Sequence, residues 1–222
     1  MIQYHKIQNI FNRDIVSNKL IEGEYRQPEV EYLKDLQWIA TEKVDGTNIR
    51  VMYNNPTEDG SLDGKITFNG KSDKAQLHGD LVKKLQETFL PHSPLFIEKF
   101  EGKQVCLYGE GYGAGIQTGG CYLDHKDFIL FDVWIDGVWL SRGDVEGIAL
   151  MLGIKIVPIV CIGTLPEMVS IVKLGLESKW SNEHVVLEAE GIICRPVVEL
   201  KDCRGGRIII KIKARDFSDK KE

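Results

Sequence analysis

Thr41-Glu42-Lys43-Val44-Asp45-Gly46-Thr47-Asn48 is a polar octet set between two apolar runs, Trp38-Ile39-Ala40 and Ile49-Arg50-Val51-Met52. An Asp-Gly step between strand-like runs is an ordinary hairpin signal, its lysine and glutamate being solvated charges. Taken alone, the octet says no more than that. Far downstream, however, stand Glu190-Gly191-Ile192-Ile193 and Lys211-Ile212-Lys213. These three stretches together decide between a turn and a site.

The bulk numbers bound the answer. At 222 residues the chain is one large domain or two small ones, long enough to bury a substantial core. Hydrophobic and charged fractions of 43% and 27% are those of an ordinary globule. No run approaches the roughly 18 apolar residues of a membrane span, and Met1-Ile2-Gln3-Tyr4-His5-Lys6 has no apolar signal core. The cysteines number five and form no CxxC pair, which favours reduced thiols over a disulfide framework or a zinc site. A cytoplasmic monomer without membrane attachment is expected. A net charge of −5 argues against indiscriminate coating of nucleic acid but leaves room for a local grip on a strand end. Basic charge concentrates in residues 201–222, where eight lysines and arginines face four acidic residues.

Along the chain there is no repeat, low-complexity segment or Pro/Ser-rich linker. Residues 1–37 read as irregular, with one short helix near 29–36. Around the octet the pattern is strand–turn–strand, then loop signals and a short strand over Lys65–Phe68. Asp73 is a candidate cap for a helix with Leu77, Leu81, Leu85 and Phe89 on one face, stopped by Pro91. Gln104–Tyr108 and Phe128–Ile135 read as strands. Asp144 is the candidate cap of a helix ending at Gly153, Lys155–Ile162 reads as a strand, and Pro166 opens a further helix with Met168, Val169 and Val172 inward. Val185–Leu187, Ile192–Cys194 and Ile208–Ile210 complete a set of short strands. Strands outnumber helices without alternating with them, which predicts an α+β fold of antiparallel sheets with flanking helices.

Two motifs are decoys. Gly64 to Ser72 imitates a phosphate loop but has five residues between its glycines where four are needed, and Ile66-Thr67-Phe68 reads as strand. Gly109-Glu110-Gly111-Tyr112-Gly113-Ala114 fits a relaxed dinucleotide fingerprint, yet the glycine-rich residues after it cannot form the helix that would hold a pyrophosphate. So many glycines still imply close backbone approach to something.

A lysine that attacks an α-phosphate makes definite demands. It has to be neutral at that moment, and burial or neighbouring cations favour the neutral form of a lysine. Cations must also stabilise the developing phosphate charge; Lys211 and Lys213, two apart on a strand, point to one face and can share one phosphate. Carboxylates must hold Mg²⁺, usually through water, and Asp45, Glu110 and Glu190 are candidates. An aromatic plate for a base is available in Phe128-Ile129-Leu130-Phe131-Asp132-Val133.

Lys43-Val44-Asp45-Gly46-Thr47-Asn48, Tyr108-Gly109-Glu110, Phe131-Asp132-Val133, Glu190-Gly191-Ile192-Ile193 and Lys211-Ile212-Lys213 together resemble motifs I, III, IV and V of the covalent nucleotidyltransferases. That superfamily contains ATP-dependent RNA ligases, DNA ligases and capping enzymes. The Gly-Thr-Asn ending is similar to RNA ligases of the phage RNA ligase 2 type, whereas DNA ligases and capping enzymes usually carry arginine where this chain has Asn48. The opening Tyr4 to Ile7, with Ile10 to Asp14, also resembles the lead-in of small RNA ligases.

The resemblance implies one nucleotidyltransferase domain over residues 1–222, with ATP as AMP donor and Mg²⁺ or Mn²⁺ as metal. The chain ends nine residues after Lys213, so no separate C-terminal domain is expected. Lys43 would be the nucleophile that becomes adenylylated, and Lys211 and Lys213 would bind the α-phosphate. Glu42, Asn48, Glu110, Phe131 and Ile193 would line the nucleotide, with Phe131 stacked on the adenine and Ile193 against its other face. Asp45, Glu110 and Glu190 would hold the metal's water shell. Lys71 stands where the family often has arginine, so it would serve as a point charge without the bidentate fork. The reaction implied is RNA joining: lysyl-AMP forms, AMP passes to an RNA 5′-phosphate, and a 3′-hydroxyl end displaces it. The rivals are a minimal DNA ligase and a non-catalytic RNA-end-binding module. Asn48 counts against the first, and the intact Lys43, Glu190, Lys211 and Lys213 against the second.

Overall fold

The computed structural model describes residues 3–57, 59–117, 122–180 and 186–218. Two compact units emerge, one from Met1–His5 with Asp45–Val157 and one from Lys6–Val44 with Pro158–Glu222. The chain thus passes from one unit to the other inside the octet, between Val44 and Asp45. It passes back at Pro158.

The second unit is built on a five-stranded sheet. Its strands β1 (Gln8–Asn9), β13 (Ile210–Lys213), β12 (Gly191–Pro196), β4 (Trp38–Glu42) and β11 (Ile159–Gly163) lie in that order. The β1–β13 pair is parallel and the other neighbours are antiparallel. A hairpin of β2 (Phe11–Arg13) and β3 (Leu20–Tyr25) stands beside the sheet strands in sequence. The alternating residues Trp38, Ala40, Ile192, Cys194, Ile210 and Ile212 enter one core with Leu165, Met168, Val169 and Val172 of helix α5 (Leu165–Lys173). Burying each large aliphatic side chain contributes about 1.5–3 kcal/mol. Thr164 caps α5 in a reciprocal box with Glu167, and Pro166 occupies the first turn as expected, where its missing N–H costs nothing. The helix near 29–36 is shorter than its sequence pattern, running only over α1 (Pro28–Tyr32).

The first unit carries a six-stranded sheet: β10 (Lys155–Ile156), β8 (Lys126–Ile135), β7 (Val105–Gly113), β5 (Thr47–Tyr53) and β6 (Ile66–Asn69), with β9 (Val138–Trp139) also on β8. Ile49, Val51, Val105, Leu107, Phe128, Leu130 and Val133 face helices α2 (Gly79–Phe89), α3 (Ser93–Phe100) and α4 (Arg142–Met151) across a second core. Leu81, Leu85 and Phe89 of the expected α2 stripe are fully buried, while Leu77 precedes the helix and is only partly buried against the same core.

Several boundaries differ from expectation for local reasons. Asp73 does not cap α2, which begins six residues later, because Arg50 engages its carboxylate. Ser141, not Asp144, caps α4; Asp144 sits in the first turn and its carboxylate accepts from the Ser141 hydroxyl at 2.6 Å. Lys155–Ile162 is two strands, broken where Pro158 offers no N–H, and the halves pair in different sheets. Glycines 109 and 111 lie inside strand β7, where the Phe128 ring and the Leu81 side chain occupy the space a Cβ would need. Val185 lies outside the described residues, and Val186 and Leu187 are not in a strand. The Ile208–Ile210 strand begins instead at Ile210 and runs to Lys213. Among the described residues no helix is long and apolar enough to cross a membrane.

Candidate active site

Strand alternation builds the charged face of the second unit. Ile210 and Ile212 go into the core, so Lys211 and Lys213 share the opposite face, as their spacing predicts. Across the ladder Lys211 pairs with Ile193 and Lys213 with Gly191, while Ile193 pairs with Thr41 on the far side. The Lys43 N–H donates to Gly191 O at 2.9 Å, extending that ladder one residue past β4. Lys43 therefore reaches the same end of the sheet as Lys213, although 170 positions separate them.

Glu190 bridges the two. Its Oε1 accepts from Lys213 Nζ at 2.6 Å, and its Oε2 accepts from Lys43 Nζ. The side chains of Lys43, Glu190 and Lys213 are 23%, 15% and 14% exposed, so these pairs are only partly screened by water. Burial pushes the Glu190 carboxyl up, but the charge of Lys43 and the hydrogen bonds from both lysines outweigh it and hold the group below its ordinary range. Burial, then the neighbouring charges of Lys213 and Lys43, moves Lys211 below the usual lysine value. Three cations against one carboxylate leave a net positive face, suited to an anion such as phosphate. The glycine after Glu190 is required: Gly191 has φ +150°, and a Cβ there would run into Ile212 O and come within 2.8 Å of Lys213 Cα.

Glu42 departs from the nucleotide-lining role in its side-chain direction. It pairs with Ile192 and so projects to the core side, away from Ile193 and Lys211. There its carboxylate accepts from the Ser178 hydroxyl at 2.5 Å and from the Lys179 N–H at 2.9 Å. It is buried and organises residues 178–180, with Trp180 N–H donating to Ser178 Oγ at 3.2 Å. Ser178, 136 positions away, carried no signal in the sequence. Ile193 is half-buried on the lysine face.

The first unit presents a second polar face by the same alternation. Ile49 and Leu107 face the core, so Asn48 of β5 lies beside its partner Glu110 of β7 on the opposite side. Arg50 and Tyr108 form the next pair along that face. Gly46 has to be glycine, because the Gly111 carbonyl stands where its Cβ would go; Asp45 just before it is half-buried. On β8 the register jumps between Tyr108↔Asp132 and Gly109↔Leu130, leaving Phe131 as the extra residue of a bulge. The bulge reverses the phase of the strand and turns Phe131 away from the core that Phe128, Leu130 and Val133 share. Of the two aromatic candidates, Phe128 is thus core, edge-on to Phe89, and Phe131 is the half-buried one, edge-on to Tyr4 at 5.0 Å. Tyr4 also donates its hydroxyl to the buried Asp132 at 2.7 Å, a brace the sequence did not announce. Lys71 is exposed on the segment after β6.

Asp45 and Glu110 in the first unit and Glu190 in the second are the metal candidates. Among the described residues no three His, Cys, Asp or Glu side chains converge as direct metal ligands. Carboxylates suit a hard cation such as Mg²⁺ or Mn²⁺, which keeps much of its water shell when bound.

This architecture is that of the RNA-ligase nucleotidyltransferases. Solved forms of an RNA ligase from Naegleria gruberi share the fold. One mutant form with ATP and manganese superposes with a TM-score of 0.64 at 18% identity, covering 96% of this chain and 56% of that one. A second with ATP and manganese gives 0.63 at 18%, covering 86% and 52%. A third with AMP and manganese gives 0.61 at 16%, covering 95% and 62%. The chain thus spans between half and two thirds of the length of these relatives. The RNA ligase family model matches residues 36–213, from just before the octet to Lys213 itself. The chain belongs to the RNA ligase family.

Proposed function

We propose that this chain is an ATP-dependent RNA ligase, residues 1–222 supplying its nucleotidyltransferase domain, that joins 5′-phosphate and 3′-hydroxyl ends through lysyl-AMP. The observation that carries the reading is the Glu190 bridge between Lys43 and Lys213, with Lys211 on the same face. A hairpin turn with solvated charges has no reason to bury a carboxylate between two lysines from opposite ends of the sequence.

Glu190 aims Lys43 Nζ, and Lys211 and Lys213 hold the α-phosphate of ATP. Lys43 Nζ attacks as the neutral amine and sheds its protons to solvent. As the Nζ–phosphorus bond forms, the bond from the α-phosphorus to the bridging oxygen breaks, and pyrophosphate leaves with the electron pair. The developing charge falls on oxygens that the two lysines contact, where prepaid electrostatic stabilisation counts most. AMP then passes to an RNA 5′-phosphate, and a 3′-hydroxyl displaces it. Phe131 would stack on the adenine, Ile193 and Asn48 would contact the nucleotide, and Lys71 would meet a phosphate. The Glu42 side chain is engaged elsewhere, so its share would come through the backbone beside it. Asp45, Glu110 and Glu190 would hold a divalent cation through its waters, and the cation would offset phosphate charge.

The test is incubation with radiolabelled ATP or GTP and Mg²⁺, followed by denaturing electrophoresis and by sealing assays on nicked RNA and nicked DNA. ATP alone should label the protein, and RNA should be sealed in preference to DNA. Labelling by GTP in place of ATP, or no covalent label at all, would overturn the reading.

A further inference from the structure

Arg50 belongs to none of the roles above, yet it is a charged side chain held wholly inside the first unit. Its side chain is 0% exposed, and arginine is almost never fully buried without partners. Nε donates to Gly70 O at 2.9 Å and Nη2 to Asp73 Oδ1 at 2.6 Å. Asn69 Nδ2 reaches the same carboxylate oxygen at 3.3 Å, and the Ala75 N–H closes the turn onto Ser72 O at 3.1 Å. Gly70 is packed tightly, since a Cβ there would meet Ala75 Cβ at 2.8 Å. Arg50 stands on β5 two residues after Asn48, opposite Asn69 of β6 and Tyr108 of β7. Its guanidinium thus ties the 70–73 segment to the face that carries Asn48 and Glu110.

We propose that Arg50 is a positioning residue, whose guanidinium fork clamps Gly70–Asp73 and so fixes the exposed Lys71 for contact with a phosphate. This rests on reading Lys71 as a phosphate-binding residue of the ligase. The fork matters because it meets a carbonyl and a carboxylate at once through separate N–H directions, which a single ammonium cannot reproduce. An aliphatic residue at position 50 would pack in the same space without burying charge. What it could not do is hold a loop by two directed bonds. A lysine cannot supply Lys71's missing fork, and the buried arginine beneath it compensates by taking away its freedom to wander.

The experiment has two readouts. Hydrogen exchange on the intact chain reports the clamp itself: the Ala75 amide should exchange faster in Arg50→Lys and in Asp73→Asn than in wild type. Unchanged exchange in both would overturn the clamp whether or not the chain is a ligase. Kinetics report its consequence, through the KM for ATP in adenylylation and the rate of joining pre-adenylylated RNA. Lys71→Ala should impair at least one of these on the order of tenfold, the scale of one hydrogen bond to a charged group. Arg50→Lys and Asp73→Asn should impair the same one, and Asp73→Asn combined with Lys71→Ala should be no worse than Lys71→Ala alone. Losses that multiply would show that Arg50 does not act through Lys71. Lys71→Ala at wild-type level would remove the reading of Lys71 and the proposal with it, while a wild-type chain that takes no label would instead sink the ligase assignment. Asp73 is 71% exposed, so Asp73→Asn keeps the test decisive even if Arg50→Lys fails to fold.

Discussion

The two sheets solve the same problem with different chemistry. Each is apolar on one face and polar on the other, but the second unit's polar face gathers lysines round one carboxylate, while the first unit's sets aromatic rings and an amide among Arg50, Glu110 and Asp132. In the second, Lys43, Glu190, Lys211 and Lys213 stand partly buried, and one carboxylate serves two ammonium groups. In the first, Phe131 leans on Tyr4, Asp132 is satisfied by the Tyr4 hydroxyl, and Asn48 lies beside Glu110. The lysine cluster carries net positive charge, which attracts anions, and the Phe131 ring offers a flat apolar surface. The side chains of the aromatic face can also be lost with very different consequences for folding.

The sharpest break of the comparison is Lys43→Ala, which should reduce covalent labelling by ATP to background, while labelling that survives would place the nucleophile elsewhere. Next is Glu190→Gln, which should cost labelling nearly as much and also lower stability by about 1–3 kcal/mol. That is less than the 3–5 kcal/mol of removing one partner from a fully buried pair, because these side chains keep some water. The Glu190 carboxyl is held below the ordinary glutamate value of 4.5, so its stabilisation is complete above that value and is lost as pH falls through the lower folded one. Denaturant melts should therefore show the gap between wild type and Glu190→Gln closing in acid; a gap independent of pH would mean the ion pairs do not stabilise the fold.

On the aromatic face the effects separate by residue. Phe131→Ala should weaken ATP by about 1–3 kcal/mol of lost stacking with little change in melting temperature. Phe128→Ala, only three positions away, should cost about 3–5 kcal/mol of stability by opening a core cavity. If Phe131→Ala destabilises the protein as much as Phe128→Ala, the bulge does not turn Phe131 out of the core. The smallest effect concerns Lys211, whose charge should be lost at a lower pH than an ordinary lysine's. ATP binding should then weaken as pH rises into the alkaline range, and Lys211→Arg, which stays charged, should shift that decline upward. An identical profile for both would free Lys211 of the phosphate.

How much of this was legible follows from how local each cause is. The α2 stripe and the Pro166 start depend on neighbours within one or two turns, and both were readable. The caps of α2 and α4 were misplaced because the choice among nearby polar residues was made elsewhere: Arg50 claims Asp73, and backbone geometry selects Ser141 over Asp144. The glycines of β7 lie within a strand, and Gly109 and Gly111 make room for the Phe128 ring and the Leu81 side chain, remote in sequence.

The sequence by itself determined which residues can share a face, because a strand alternates with period two whatever it packs against. Ile210-Lys211-Ile212-Lys213 could place its lysines together in no other way. Only the tertiary structure decided what those faces meet. That Glu190 lies between Lys43 and Lys213 depends on β12 pairing with both β4 and β13 in one register. That Glu42 turns inward while Lys43, its immediate neighbour, stays on the charged face depends on that same register. That Phe131 rather than Phe128 is turned out depends on a single extra residue in β8. A one-residue slip inverts every side chain on a strand, and nothing within the strand records which register its partners will impose.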